Sequence, residues 1–215
     1  MKTTLETNLK HITTTFLCAA GMAALVLAPA PRIWAQDASA LSGVLGQLQT
    51  ESQSSADTTL KSLGGELGTK AQALSTSLAG KPDLQNQITG ALQSLLGPKG
   101  ADSLAAFQKL STAKLTPDQM KLAKDFGHVG SAYLVQKNLG SLDGSQTDVA
   151  QIVSSLHKGN VSAVLPAIQK VSQSAKLTPE QKDLLKTLAD KYAPGVKKAG
   201  DAINGGMNSL PKIGN

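Results

Sequence analysis

Few residues of this chain have types and spacing that suit chemistry. Beyond residue 35 it contains two histidines, His128 and His157, and neither cysteine nor arginine. Neither histidine belongs to an HExxH pattern, in which two histidines one helical turn apart bind zinc. The absence of cysteine from this part of the sequence excludes a thiol nucleophile and a disulfide framework. We therefore expect structural or surface roles for both histidines, and no metal site.

Two Ser-x-x-Lys sequences, at residues 111–114 and 155–158, match part of the motif of serine acyltransferases. The Ser-Asp-Asn and Lys-Thr-Gly partners of that motif are absent from the sequence, and serine and lysine are frequent enough to produce such matches by chance. Residues 143–148, which include two acids, do not form a calcium-binding loop, since Asp148 and Ser154 occupy the positions that require glycine and glutamate. We expect no catalytic residues, no cofactor and no enzyme activity.

The remaining composition argues against nucleic acid as a partner. Residues 36–215 contain 18 Lys, 14 Asp and Glu, two Phe and two Tyr, and no Trp. Proteins read base edges with arginine and stack bases on aromatic side chains. Because arginine is absent from these residues and aromatic residues are scarce, we predict that the protein does not bind nucleic acid.

Residues 1–35 have the pattern of a secretory signal peptide. Two lysines lie in a polar leader, and residues 16–28 form an apolar run of 13 residues. A membrane-spanning helix needs about 20 apolar residues, so this run is too short for one. Ile33 and Ala35 lie three positions and one position before a suitable cleavage site. We predict cleavage after Ala35, a secreted or periplasmic protein, and no stable membrane anchor after cleavage.

The rest of the chain is predicted to be all-α, forming an antiparallel helical bundle or a short helical array. Apolar residues recur at intervals of three and four, and no stretch alternates polar with apolar residues as a strand would. A first helix is expected to begin near Asp37, and Gly80, Pro82 and Gly97 mark the ends of later helices. We expect two N-terminal helices in residues 36–80, helical repeats in residues 81–140 and 147–204, and a flexible tail over residues 205–215.

The two predicted repeats rest on internal similarity. Residues 88–126 align with residues 149–188 at an offset of 61, which becomes 62 from residue 113, and about 15 of 39 aligned positions are identical. Self-similarity at a fixed period is typical of a repeated supersecondary unit. We interpret the pattern as an internal duplication of a three-helix unit.

Both repeats contain the same helix-start sequence. Thr116 and Thr178 are each followed by proline, an acidic residue and glutamine. Threonine suits the N-cap, proline suits the first turn, and glutamine at the third helical position can close a capping box. We predict that these two threonines cap equivalent helices.

The sequences at residues 115–119 and 177–181 resemble the two LTxxQ motifs of the periplasmic Spy/CpxP-like proteins, and the resemblance covers ten residues. It implies an exported, all-helical protein that binds unfolded proteins or a sensor domain without ATP. The chain departs from that family because its predicted mature part lacks arginine and is rich in glycine, and because its two N-terminal helices are additional. Helix capping accounts for the same residues, so both interpretations stay open.

Lysine is concentrated in the second part of the chain. Residues 81–215 contain 16 Lys and 10 acidic residues, whereas residues 36–80 contain two Lys and four acidic residues. A basic helical surface attracts acidic partners. The candidate contacts, which follow the two predicted caps, are Lys121, Lys124, Lys182 and Lys186.

We therefore expect an exported, non-catalytic helical protein that binds an extracytoplasmic protein partner or an envelope surface. If the protein is released from its cell, a surface protein of another cell is a further candidate partner. The alternative is a periplasmic ATP-independent chaperone-like protein, and an enzyme with an unrecognised site is the less favoured third possibility.

Overall fold

The computed structural model describes residues 33–98, 100–174 and 176–192. Within these ranges the chain forms eight α-helices, one 3-10 turn and no strand, which confirms the predicted all-α class. The helices are α1 (Ile33–Ser54), α2 (Thr58–Ser77), α3 (Pro82–Leu96), α4 (Asp102–Thr112), α5 (Pro117–Leu139), α6 (Gln146–His157), α7 (Val164–Ser174) and α8 (Pro179–Tyr192), with the 3-10 turn at Val161–Ala163. Residues 1–32 of the predicted signal peptide, which spans residues 1–35, and the predicted tail at residues 205–215 lie outside the described residues.

Local signals set the helix ends. Pro82 is the first residue of α3, and Gly97 is its C-cap. Gly80, with a φ of 86°, occupies the left-handed region that glycine tolerates, and it follows the end of α2. One end differs from the prediction, since α1 begins at Ile33 and not near Asp37. No glycine or proline separates these two residues, so nothing in the sequence prevents the helix from starting earlier.

The centre of the fold is α5, which packs against α2, α4 and α6. Every residue from Phe126 to Val135 is buried except His128, so the helix is covered on several sides. Glycine allows a close approach on the side facing α4. A Cβ atom at Gly130 would lie 2.7 Å from Cε2 of Phe107. The Phe107 ring therefore occupies the space that a side chain at this position would need.

Both predicted capping boxes form. Thr116 Oγ1 accepts a hydrogen bond from the backbone N–H of Gln119 at 3.3 Å, and the backbone N–H of Thr116 donates to Gln119 Oε1 at 3.2 Å. The corresponding distances between Thr178 and Gln181 are 3.3 and 3.0 Å. The predicted starts of α5 and α8 are therefore confirmed.

Each capping glutamine also joins its helix to the end of an earlier one. Gln119 Nε2 donates to the carbonyl of Ser77, the last residue of α2, at 2.6 Å. Gln181 Nε2 donates to the carbonyl of Asn138, close to the end of α5, at 2.9 Å. The two motifs thus make the same kind of tertiary contact as well as the same cap. The duplication of the whole three-helix unit stays a prediction.

Replacing Thr116 or Thr178 with alanine is expected to lower the free energy of unfolding by about 1 kcal/mol, because a backbone N–H at the helix start loses its acceptor. Urea denaturation measures this loss. Thr69→Ala, at an exposed position inside α2, is the control and should change stability by less than about 0.5 kcal/mol. Equal losses at all three threonines would show that the effect does not come from capping.

Candidate functional site

The four candidate lysines all have exposed side chains. Lys121 and Lys124 lie near the start of α5, and Lys182 and Lys186 lie near the start of α8. Lys186 pairs with Asp190 one turn later, with 3.5 Å between Nζ and Oδ2. Both side chains of this ion pair are exposed to solvent, so the pair contributes little to stability.

These lysines do not form one cluster. α8 runs antiparallel to the second half of α5, because Gln181 contacts the Asn138 carbonyl and Tyr192 contacts Ser131. At 1.5 Å per residue, Lys121 lies about 25 Å from Asn138 along the axis of α5. The pair on α5 and the pair on α8 are therefore near opposite ends of the central helix.

A fifth lysine, Lys191, has the most unusual surroundings. It lies near the end of α8 and is only partly exposed. Its Nζ atom lies 5.3 Å from the ring centroid of Phe107 and 5.0 Å from that of Tyr192. Burial lowers the pKa of Lys191 to about 8. Among the described residues no carboxylate forms an ion pair with it, and a perturbed pKa of this kind is often found at a functional site.

The hydroxyl of Ser131 connects Lys191 to a tyrosine. Ser131 Oγ accepts hydrogen bonds from Lys191 Nζ at 3.3 Å and from the Tyr192 hydroxyl at 3.0 Å, and it donates to the Gly127 carbonyl at 2.7 Å. Burial raises the pKa of Tyr192 to about 12, although the hydrogen bond to Ser131 acts in the opposite direction. Tyr192 therefore stays protonated near neutral pH.

Lys191 and Tyr192 line a cavity of about 390 Å³ that also borders α4 and α5. Among the described residues, its other ionisable lining residues are Lys124 and His128, and none that lines it is aspartate or glutamate. We call this cavity the basic cleft. Two lysines without an internal carboxylate give it a positive potential, which suits an anionic group.

His128 lies on α5 in the wall of the basic cleft. Burial lowers the pKa of this histidine, the charges of Lys191 and Lys124 lower it further, and the charge of Asp125 opposes them. At neutral pH the ring is therefore uncharged. Its two nitrogens serve as one hydrogen-bond donor and one acceptor, and the positive charge of the cleft comes from the lysines.

The second histidine, His157, is the last residue of α6 and contacts α2. Its Nε2 atom lies 2.6 Å from Oε2 of Glu66. Both side chains line a further cavity of about 450 Å³, together with the apolar residues Leu63, Val149 and Val153. The contact joins two helices whose residues are 91 positions apart in the sequence.

Within the part of the chain that the structure describes, no group of three or more His, Cys, Asp or Glu side chains is placed to hold a metal ion. None of the helices in this part is both long enough and apolar enough to cross a bilayer.

Sequence reasoning missed the contact of Ser131, Lys191 and Tyr192. Ser131 and Lys191 are 60 positions apart, so a search for Ser-x-x-Lys spacing cannot find them. The one signal in the sequence that pointed to this contact was Tyr192, because tyrosine is rare in this chain and occurs only twice.

Over residues 33–98, 100–174 and 176–192, the fold and the cleft define an all-helical protein with a lysine-lined cavity to which these residues contribute no carboxylate. No family model, curated protein or solved structure matches the chain. Its function is therefore inferred from the geometry and charge of its own residues.

Replacing Lys191 with methionine is expected to stabilise the protein by about 1–2 kcal/mol at pH 7. The substitution keeps an unbranched side chain and removes a charge whose burial is unfavourable. Urea denaturation at pH 7 measures the difference. Lys186→Met, at an exposed position of the same helix, is the control and should change stability by less than about 0.5 kcal/mol.

The advantage of this variant should shrink at higher pH. The pKa of Lys191 is about 8 in the folded protein, whereas an unfolded chain has a lysine pKa of about 10.4. Between these values the unfolded state binds more protons than the folded state, so the stability of the unsubstituted protein rises with pH. A Lys191→Met variant that is less stable at pH 7 would contradict unfavourable burial of the ammonium group.

Proposed function

We propose that this protein is an exported, non-catalytic helical protein that binds an acidic segment of an extracytoplasmic protein partner. The observation that carries the proposal is the basic cleft, which is lined by Lys124 and Lys191 and, within the part of the chain that the structure describes, by no carboxylate. An aspartate or glutamate side chain that enters the cleft meets two cations and no competing acid. Charge complementarity of this kind gives specificity and fast association.

Exposed lysines extend the positive surface beyond the cleft. Lys121 lies three positions before Lys124, so the two side chains share one face of α5. Lys182 and Lys186 offer a second contact near the other end of α5. Lysine lacks the planar fork of arginine, so these residues supply long-range attraction that salt screens, more than geometric specificity.

Binding of a fluorescent peptide with alternating glutamate and alanine tests the proposal. Anisotropy should show that the purified protein binds this peptide at an ionic strength of about 0.05 M and much more weakly at about 0.5 M, where the Debye length is shorter. A matched peptide with glutamine in place of glutamate should bind weakly at both. Equal binding of the two peptides would favour the chaperone-like alternative, which needs no acidic residues.

Charge reversal then locates the contact. Changing Lys121 and Lys124 together to glutamate should weaken binding of the acidic peptide about tenfold, which corresponds to about 1.4 kcal/mol. The same change at Lys182 and Lys186 should have a smaller effect, because neither residue lines the cleft and Lys186 already pairs with an acid. Circular dichroism checks that both variants keep their helices. If binding survives reversal of all four lysines and high salt, the basic-surface mechanism is wrong.

A further inference from the structure

We propose that Lys191 is a nucleophilic amine that binds small 2-oxo acids covalently and reversibly, as an imine, in the basic cleft. This activity goes beyond capture of an acidic protein segment. It requires no protein partner, and the two activities can be tested separately.

The surroundings of the amine favour its uncharged form. Nζ lies beside the rings of Phe107 and Tyr192, its hydrogen-bond partner is the neutral Ser131 hydroxyl, and no carboxylate among the described residues pairs with it. The lone pair of a neutral amine is what attacks a carbonyl carbon. Burial that lowers the pKa of Lys191 to about 8 makes far more of this form available than an exposed lysine offers.

Imine formation needs a group that can protonate the carbonyl oxygen, and Tyr192, which lines the same cleft as the amine, can supply the proton. Its hydroxyl lies 3.0 Å from Ser131 Oγ, which lies 3.3 Å from Lys191 Nζ. The amine attacks the carbonyl carbon and a C–N bond forms, while the oxygen gains a proton to give a carbinolamine. The nitrogen then loses its protons and the hydroxyl group leaves as water, so that amine and carbonyl become imine and water without oxidation or reduction.

The cleft also determines which carbonyl compounds suit it. Its volume of about 390 Å³ accommodates a molecule of a few carbon atoms, and the described residues that line it include no acid that would repel an anion. Lys124 on α5 lines the same cleft and can bind a carboxylate while Lys191 reacts. A compound with a carbonyl next to a carboxylate, such as pyruvate or glyoxylate, suits both lysines: its carboxylate binds Lys124 and its carbonyl carbon reacts with Lys191.

Trapping by reduction tests this proposal in the unsubstituted protein. The purified protein is incubated with glyoxylate and cyanoborohydride, and modified lysines are located by peptide mass spectrometry. We expect Lys191 to be modified at least about tenfold faster than any other lysine, and propanal, which lacks the carboxylate, to react more slowly. If the modification rates instead follow side-chain exposure, so that Lys191 is among the slowest lysines, the proposal is wrong. Equal rates of modification by propanal and by glyoxylate would overturn the role of the carboxylate.

The pH dependence gives a second measurement. The ionisable groups that line the cleft with the amine are Lys124 and His128 on α5 and Tyr192 on α8, whereas α4 contributes Phe107 and uncharged polar residues. The rate at Lys191 should reach half its maximum near pH 8, where the amine has lost half its protons. A rate at this residue that still rises steeply above pH 10 would show an ordinary amine and contradict the assignment.

Variants separate positioning from folding. Tyr192→Phe should slow trapping at Lys191 while circular dichroism stays unchanged, and Lys186→Arg, on the same helix, should leave it unaltered. Lys191→Arg keeps the charge but removes the nucleophile, so trapping in the cleft should disappear while acidic-peptide binding persists. Loss of trapping with intact peptide binding, or the reverse, thus distinguishes failure of this proposal from failure of the proposed function.

Discussion

Replacing Phe107 with alanine should lower the free energy of unfolding by about 3–5 kcal/mol. The side chain is 1% exposed and meets Phe126 edge to face, with 5.1 Å between ring centroids. On another side the ring lies against Gly130, where a Cβ atom would be 2.7 Å from Cε2 of Phe107. Because Gly130 has no side chain that can move into the cavity left by the ring, little of the lost contact can be recovered.

Urea denaturation of Phe107→Ala measures this loss, and Phe107→Leu is the matched control. Leucine keeps an apolar side chain in the same space, so its loss should be about 1 kcal/mol. A loss below about 1 kcal/mol for the alanine variant would mean that α4 and α5 do not meet at this ring.

Two adjacent glycines of α2 should respond in opposite directions to replacement by alanine. At Gly64 a Cβ atom would lie 2.7 Å from Ser52 Oγ and 3.3 Å from Cε2 of Tyr133. These contacts come from α1 and α5, so Gly64→Ala must separate packed helices and should cost about 2–3 kcal/mol. At Gly65 nothing lies within 4 Å. Gly65→Ala should therefore stabilise the protein by about 0.5–1 kcal/mol through helix propensity alone.

The pair of variants is its own control, since both add one methyl group to one helix. Thermal or urea denaturation should show a difference of about 3 kcal/mol between them, the sum of the packing cost and the propensity gain. Equal effects at the two positions would contradict the close contact of α1 with α2.

The helix ends were largely predictable because they depend on short stretches of sequence. The starts of α3 and α5 follow from proline in the first turn, and the two capping boxes follow from a threonine and a glutamine three positions later. These interactions lie within about four residues of one another, so the sequence contains all their participants in order.

The glycines inside α2 show where local reasoning stops. The sequence indicates that a glycine-rich helix needs tertiary packing or admits a neighbour closely. It does not indicate which glycine does so. Only the position of α1 distinguishes Gly64, which Ser52 contacts, from Gly65, which faces open space.

By itself, the sequence determined the all-helical class and several helix ends, such as the capped starts of α5 and α8. Only the tertiary structure decided that the amine of Lys191 on α8 contacts Ser131 on α5, which is 60 positions earlier in the sequence. The same amine lies beside the ring of Phe107 from α4. The physical reason is that capping and periodicity act through the backbone of one segment. The desolvation of an amine, by contrast, depends on every helix that excludes water from it, and no single segment records that arrangement.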